Sequence, residues 1–262
     1  LFNSFNYALF LIIVFTLHWL LPHRFRWVTL LIASYYFYMS WNPELVVLIA
    51  LTTLVSYTAG LLISRFRSAD GKNSTLTKLI LVLALLICFG VLFFFKYFDF
   101  FSESITAILR AFSLPVQAFT LKLILPVGIS FYTFQTLSYV IDVYRGKVTA
   151  EQHLGYYALY VSFFPQLVAG PIERSDNLIP QLRKVRTFEC SEGCDGLKWI
   201  ALGLFKKVVI ADSLATYVDT VYGNLSNYKG LSFIVATVFF AFQIYCDFSG
   251  YSDIAIGTGK LL

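Results

Sequence analysis

Leu79–Phe95 is a run of seventeen residues without a charge, and Cys88 is its only side chain outside the aliphatic, aromatic and glycine set. A helix of that length and polarity matches the roughly 30 Å hydrocarbon layer of a bilayer. The run is not alone. Phe5–Leu21, Trp27–Ser40, Glu44–Ile63, Leu121–Val143 and Leu231–Phe248 repeat the pattern, each followed closely by proline, glycine or a charged residue. In lipid the backbone must be paired within the protein, so runs this long are read as helices. The expected fold is an all-α polytopic integral membrane protein.

The remaining composition agrees. Hydrophobic residues make up 58%, charged residues 13% and aromatics 18%, and the mean hydropathy is +0.72. The net charge of +5 does not point to nucleic acid, because the basic residues gather in short loops between apolar runs, as in cytoplasmic loops. With the N-terminus outside, Arg24/Arg26, Arg65/Arg67/Lys72/Lys78 and Arg145/Lys147 all fall inside. Tyr97–Phe119 is amphipathic and is predicted to lie along the interface. Pro126 and Gly128 interrupt the Leu121–Val143 run.

Phe5–Leu21 lacks a basic flank and a small-residue cleavage site, so it reads as a retained span. The chain starts at Leu1 without methionine and ends at Leu262 inside an apolar pattern. Residues 1–262 are therefore expected to form a single transmembrane domain, the N-terminal and central part of something longer. No internal repeat and no linker divides them.

One stretch departs from the alternation. Phe163–Leu182 reads FFPQLVAGPIERSDNLIPQL, with Pro165 and Gly170-Pro171 inside apolar sequence and Glu173-Arg174 directly after it. Proline removes a backbone donor and glycine loosens a helix, so a continuous helix is not expected. Freed backbone groups at membrane depth need partners in protein or at a water-filled cavity. The following loop carries Arg174, Arg183, Lys184, Arg186 and Lys198. A re-entrant segment that enters from the cytoplasm and returns satisfies both observations.

Other polar residues are few. Asp247 and Asp253 lie in a Gly/Ser/Tyr-rich stretch, expected to be a bend between an apolar helix and Ile254-Ala255-Ile256-Gly257. Carboxylates in such surroundings face a cavity or a partner, which would place them in one polar pocket with Glu173 and Arg174. The alternative is that they cap a helix and hold the turn. Lys206-Lys207 could contact an anionic donor, or could mark the cytoplasmic interface. His18 and His23 have no orienting carboxylate nearby in sequence, and His153 begins the broken segment, where a position at the cytoplasmic interface suffices. Cys190 and Cys194 would share a helix face, but they lack the further ligands of a zinc site, and no metal site is assigned. Gly257-Thr258-Gly259-Lys260 fails as a phosphate loop, since Ile254 and Leu261 stand where glycine and Ser/Thr are needed. Asn73-Ser74-Thr75 and Asn224-Leu225-Ser226 match the weak glycosylation pattern.

Four blocks carry a resemblance. They are Leu125-Pro126-Val127-Gly128-Ile129-Ser130-Phe131-Tyr132 continuing to Tyr139–Gly146, Phe164-Pro165-Gln166-Leu167-Val168-Ala169-Gly170-Pro171-Ile172 with Gln181-Leu182, Gly203–Asp212, and Tyr245-Cys246-Asp247-Phe248-Ser249-Gly250-Tyr251-Ser252-Asp253 through Gly257. In this order, over nearly the whole chain, they resemble the membrane-bound O-acyltransferases, and most closely the alginate O-acetyltransferase branch. The resemblance implies a multi-helix bundle around a membrane tunnel, with re-entrant and interfacial helices, in the inner or plasma membrane.

It also implies that no cofactor is held. The acyl donor would be acetyl-CoA or another acyl thioester reaching the tunnel from the cytoplasm. The polymer acceptor, or a partner acetyltransferase, would approach from outside. Residues expected near the substrate are Pro165, Gln166, Gly170, Pro171, Glu173, Arg174, Tyr245, Asp247, Ser249, Gly250, Tyr251 and Asp253, with Lys206 and Lys207 as donor-anion contacts. The family's catalytic histidine belongs to a later block, after an Arg/Trp-rich segment, and is expected beyond Leu262. The segment alone is therefore expected to be inactive. D-alanyl transfer to teichoic acid, a transporter built on broken helices and a non-catalytic assembly subunit are the alternatives.

Overall fold

A computed structural model describes residues 4–67, 74–112, 117, 119–121, 123, 125–168 and 170–262. Lys72, Asn73 of the first sequon and Ala169 of the broken stretch lie outside the described residues. Among those described there are helices and no strand. The helices are α1 (Phe5–Leu20), α2 (His23–Met39), α3 (Val46–Arg65), α4 (Thr75–Lys96), α5 (Phe98–Ala111), α6 (Ile129–Arg145), α7 (Leu154–Ser162), α8 (Phe164–Leu167), α9 (Ser175–Arg183), α10 (Cys190–Leu204), α11 (Asp212–Gly223) and α12 (Leu231–Leu261). A 3-10 turn, Pro43–Leu45, leads into α3, and a π turn, Phe205–Ala211, joins α10 to α11. Among the described residues, three segments are long and apolar enough to cross a membrane: Pro43–Arg65, Thr75–Lys96 and Leu231–Leu261.

Two expected spans change their limits. The Leu121–Val143 run is not one helix: its helical part, α6, begins at Ile129, after Pro126 and a left-handed Gly128 at φ 72°. Proline withholds a donor, and glycine alone enters that φ region without strain. The Trp27–Ser40 run is part of a longer helix, α2, that starts just after Pro22. Ser4 and Ser74 cap α1 and α4 by accepting from Tyr7 N and Thr77 N, as N-terminal serines do.

The chain packs as two compact units, each assembled from segments distant in sequence. That interleaving is why no linker marks either one. The larger comprises Leu31–Leu167 and Ile172–Lys184. Its centre is α3 against α6, α4 and α7. Gly60 of α3 accepts the ring of Tyr139, whose Cε1 would lie 2.8 Å from any Cβ there. Polar side chains of α3 are paired inside this apolar setting. Thr53 donates to Ile49 O and Ser56 to Thr52 O, and Ser56 Oγ accepts from the buried Tyr157 hydroxyl at 2.7 Å. Such pairing is required where water is absent. On α5 the polar edge is taken up locally, with Asp99 accepting from Leu121 N and Ser102 donating to Phe119 O. Phe100, Ile105 and Ile108 on the same helix stay exposed.

The other unit comprises Leu1–Leu30, Val168–Pro171 and Val185–Leu262. Here α12 packs along α10 and α11. It also receives α1 through the Tyr7–Thr258 hydroxyl pair and a Trp19 Nε1 bond to Leu261 O.

Candidate functional site

The break expected in Phe163–Leu182 is present. α7 stops at Ser162, α8 holds only Phe164–Leu167, and helix resumes at Ser175. Within the larger unit the freed groups find side-chain partners. The Tyr160 carbonyl accepts from the carboxamides of Gln135 and Gln166, both at 2.9 Å. Phe164 N donates to Ser34 Oγ at 3.2 Å. Gln166 and Pro165 are buried, so these two candidates support the break from inside. Tyr160, also buried, turns its hydroxyl to the Glu173 carbonyl at 3.2 Å.

Glu173 and Arg174 line an open cavity of about 410 Å³ with Ile172, Asp176 and Asn177. The Glu173 carboxylate accepts from Asn177 Nδ2 at 2.7 Å, and Asn177 Oδ1 accepts from Gln181 Nε2 at 3.0 Å. Asn177 and Gln181, four apart, share a face of α9, and Glu173 lies four residues before Asn177, just ahead of that helix. At its far end α9 is tied down by Arg183, which donates to the buried Glu151 carboxylate and lies over the Tyr156 ring at 5.1 Å. Glu151 also accepts from His153 N, and His153 Nδ1 caps α7 by accepting from Gly155 N and Tyr156 N. That assigns His153 a structural task. Asn177 and Glu151 were not among the expected site residues. The four-residue spacing of Glu173, Asn177 and Gln181 was the available signal for the first; Glu151 had none.

The second set of candidates lies in the smaller unit, where one expectation fails. Tyr245–Asp253 is not a bend, and Asp247 and Asp253 cap nothing: all are interior to α12. The cause is a crossing of glycines. A Cβ on Gly203 would stand 2.5 Å from Gly250 O, and one on Gly257 would stand 2.5 Å from Gly196 O. The pairs Gly203/Gly250 and Gly196/Gly257 run in opposite order, so α10 and α12 are antiparallel and touch backbone to backbone. Small residues permit this closeness between membrane helices, and the packing outweighs the weak helix preference of glycine.

At the same crossing Lys206 and Lys207 reach past α12 on different partners. Lys206 Nζ bonds Asp253 Oδ2 at 2.6 Å and Ser249 Oγ at 3.0 Å. Lys207 Nζ lies 2.9 Å from Asp212 Oδ1 and 2.7 Å from Asp247 Oδ1, with the Tyr251 ring centroid at 5.8 Å. Two ammonium groups thus meet three carboxylates. Gly250 is buried at the crossing and Tyr245 is exposed. Gly170 and Pro171 belong to the same unit as this network, whereas Glu173 and Arg174 belong to the other.

No protein-family model matches the chain. Curated relatives do. It is 38% identical over 255 residues to "Probable alginate O-acetylase AlgI" of Pseudomonas aeruginosa, across 97% of this chain and 48% of that protein. The chain belongs to the membrane-bound O-acyltransferase family. Within that family it stands in the alginate O-acetylase branch. It is also 33% identical to the peptidoglycan O-acetyltransferase of Helicobacter pylori, over 88% of this chain and 47% of that protein. Similarity to the teichoic acid D-alanyltransferase of Bacillus subtilis is weaker, at 25% over 52% of this chain and 35% of that one. The chain spans about half the length of the curated relatives it matches at 33–38% identity. With its three apolar helices, it is a membrane protein.

Proposed function

We propose that these residues are part of an O-acetyltransferase that esterifies hydroxyl groups of an exopolysaccharide or cell-wall polymer in the cell membrane. The observation that carries the reading is the similarity to an alginate O-acetylase across 97% of the chain. The donor is a cytoplasmic acyl thioester, acetyl-CoA among the candidates. The acceptor hydroxyl, or a partner acetyltransferase, comes from the outer face through a tunnel. The acceptor oxygen attacks the thioester carbonyl, a histidine base takes the hydroxyl proton, and the thiolate leaves to be protonated. That histidine is expected outside these 262 residues, so the chemistry is proposed for a longer protein and not for this segment alone.

Pro165 and Gln166 shape the broken helix, and Glu173 and Arg174 form a polar mouth. Tyr245, Asp247, Ser249, Gly250, Tyr251 and Asp253 form a second polar lining. Lys206 and Lys207 contact the donor only by exchanging carboxylate partners for its anionic groups. The Phe163–Leu182 stretch is re-entrant and α5 lies at the interface, with multi-pass topology placing the basic loops inside.

The experiment is acetyl transfer by the full-length protein in membranes, with radiolabelled acetyl-CoA and a short alginate oligosaccharide, against residues 1–262 alone. Ester-linked label on the oligosaccharide with the full chain and none with the segment is expected. Transfer of D-alanine in place of acetate, or turnover by the segment, overturns the reading. The similarity to a D-alanyltransferase supports that alternative over half of the chain only.

A further inference from the structure

The break after Ser162 sits against two other helices of the larger unit, and each brings polar side chains to it. From α2, Ser34 Oγ accepts from Phe164 N, and the Phe37 ring lies 5.9 Å from that of Phe164. Tyr38, one turn beyond Ser34, meets Tyr132 of α6 edge-on, with 6.4 Å between ring centroids. One turn further along α6, Gln135 shares the Tyr160 carbonyl with Gln166 of α8. Tyr38, Tyr132 and Gln166 thus converge on the break from three elements, and they are only 6%, 0% and 6% exposed.

Their polar atoms are not all matched. Among the described residues, the Tyr38 and Tyr132 hydroxyls and Gln166 Oε1 make no hydrogen bond of proper geometry, although the two hydroxyls are neighbours. The Tyr160 carbonyl can only accept, so the Gln166 carboxamide must turn its N–H there and its oxygen elsewhere. Each phenol carries one proton and can also accept one. Even with one hydroxyl turned to the other, a phenol proton and the Gln166 oxygen stay unmatched. Buried polar groups are paired with protein or with ordered water, and lipid offers no substitute. Whatever completes this set must accept from a phenol, donate to a carboxamide oxygen and fit a site closed to solvent. Water does all three. An anion cannot donate, and a hydrocarbon chain can do neither.

We propose that Tyr38, Tyr132 and Gln166 bind ordered water inside the larger unit, and that this water, with Ser34 and Gln135, holds the broken helix between α2 and α6. The inference stands on its own, whether or not the protein transfers acetate. It gives the break a hydrated elbow within a segment whose surroundings are otherwise apolar.

The test uses the full-length protein in nanodiscs. Radiolysis of bound water releases hydroxyl radicals in place, and mass spectrometry reads where they react. Tyr157 is the internal control: it is equally buried, and its hydroxyl donates to Ser56. Tyr132 should be oxidised several-fold faster than Tyr157. Stability is the second readout. In a dry site, Tyr38→Phe with Tyr132→Phe removes two poorly paired hydroxyls together and leaves the melting temperature unchanged or higher. With water bound, the double variant strands it on Gln166 and should melt about 2–4 °C lower. Rapid oxidation of Tyr132 with a lower melting temperature supports the inference. Equal oxidation of Tyr132 and Tyr157 overturns it, and so does a double variant at least as stable as the wild type. Should the double variant fail to fold, the wild-type footprint decides.

Discussion

The two polar regions use charge in opposite ways. Around Lys206 and Lys207 every charge meets an opposite one on α11, α12 or both, beside a backbone-to-backbone glycine crossing. Around Glu173 the carboxylate meets one neutral carboxamide, that of Asn177, which Gln181 holds in turn, and the cavity stays open. Charges paired in this manner lock helices, because separating them leaves an uncompensated ion in a poorly hydrated place. A carboxylate held by neutral donors keeps its own charge uncompensated. The difference teaches that conspicuous charges in a membrane chain can serve as struts between helices and need not line a cavity.

The comparison can be broken from the first side. Asp253→Ala strands Lys206, whose side chain is 24% exposed against 9% for Asp253, and should destabilise the protein by about 3–5 kcal/mol. Replacing both, as Lys206→Met with Asp253→Leu, should recover most of that loss. Thermal unfolding in detergent, followed by light scattering or intrinsic fluorescence, reads both. If the single and double variants unfold together, the pair is not a lock.

The glycine crossing comes next. Gly203→Ala puts a methyl 2.5 Å from Gly250 O and 2.7 Å from Ile254 Cγ1, and should lose about 1–3 kcal/mol in the same assay. Gly90 has nothing within 4 Å of a Cβ, so Gly90→Ala should be neutral or gain up to about 1 kcal/mol. Equal behaviour of these two glycine variants would remove the crossing as the reason α12 is continuous.

On the second side the expected stability effects are smaller. Tyr160→Phe loses the hydroxyl bond to Glu173 O and should lose about 1 kcal/mol. Hydrogen exchange should rise in residues 172–176 while the α10–α12 crossing keeps its protection. Uniform faster exchange would mean that Tyr160 supports the whole unit and not this mouth in particular. Asn177→Ala, the smallest change in stability, should stay within about 0.5 kcal/mol.

Much of the architecture was legible in the residues. Uninterrupted apolar runs announce α3, α4 and α12, because the helix is the one conformation that pairs every backbone group within such a segment. Pro126 and Gly128, like Pro165 and Gly170, mark real interruptions, since proline withholds a donor in any context. The Glu173, Asn177 and Gln181 spacing was visible too, although nothing in it said that the side chains join. What misled was Tyr245–Asp253. Glycine, serine and aspartate read locally as a turn, and the residues that make this stretch helical lie about forty to sixty positions away.

By itself, then, the sequence determined an all-helical membrane chain and the place where one helix must break, because hydropathy and backbone donors are properties of local segments; the family was legible only through the resemblance of four blocks. Only the tertiary structure decided that Gly196 and Gly203 meet Gly257 and Gly250, that Lys206 is bound to Asp253, and that Tyr160 holds Glu173. Those contacts join residues from 13 to 61 positions apart. Their energies depend on distances that no local pattern contains: a methyl group's width at the glycine crossing, and a hydrogen bond's length elsewhere.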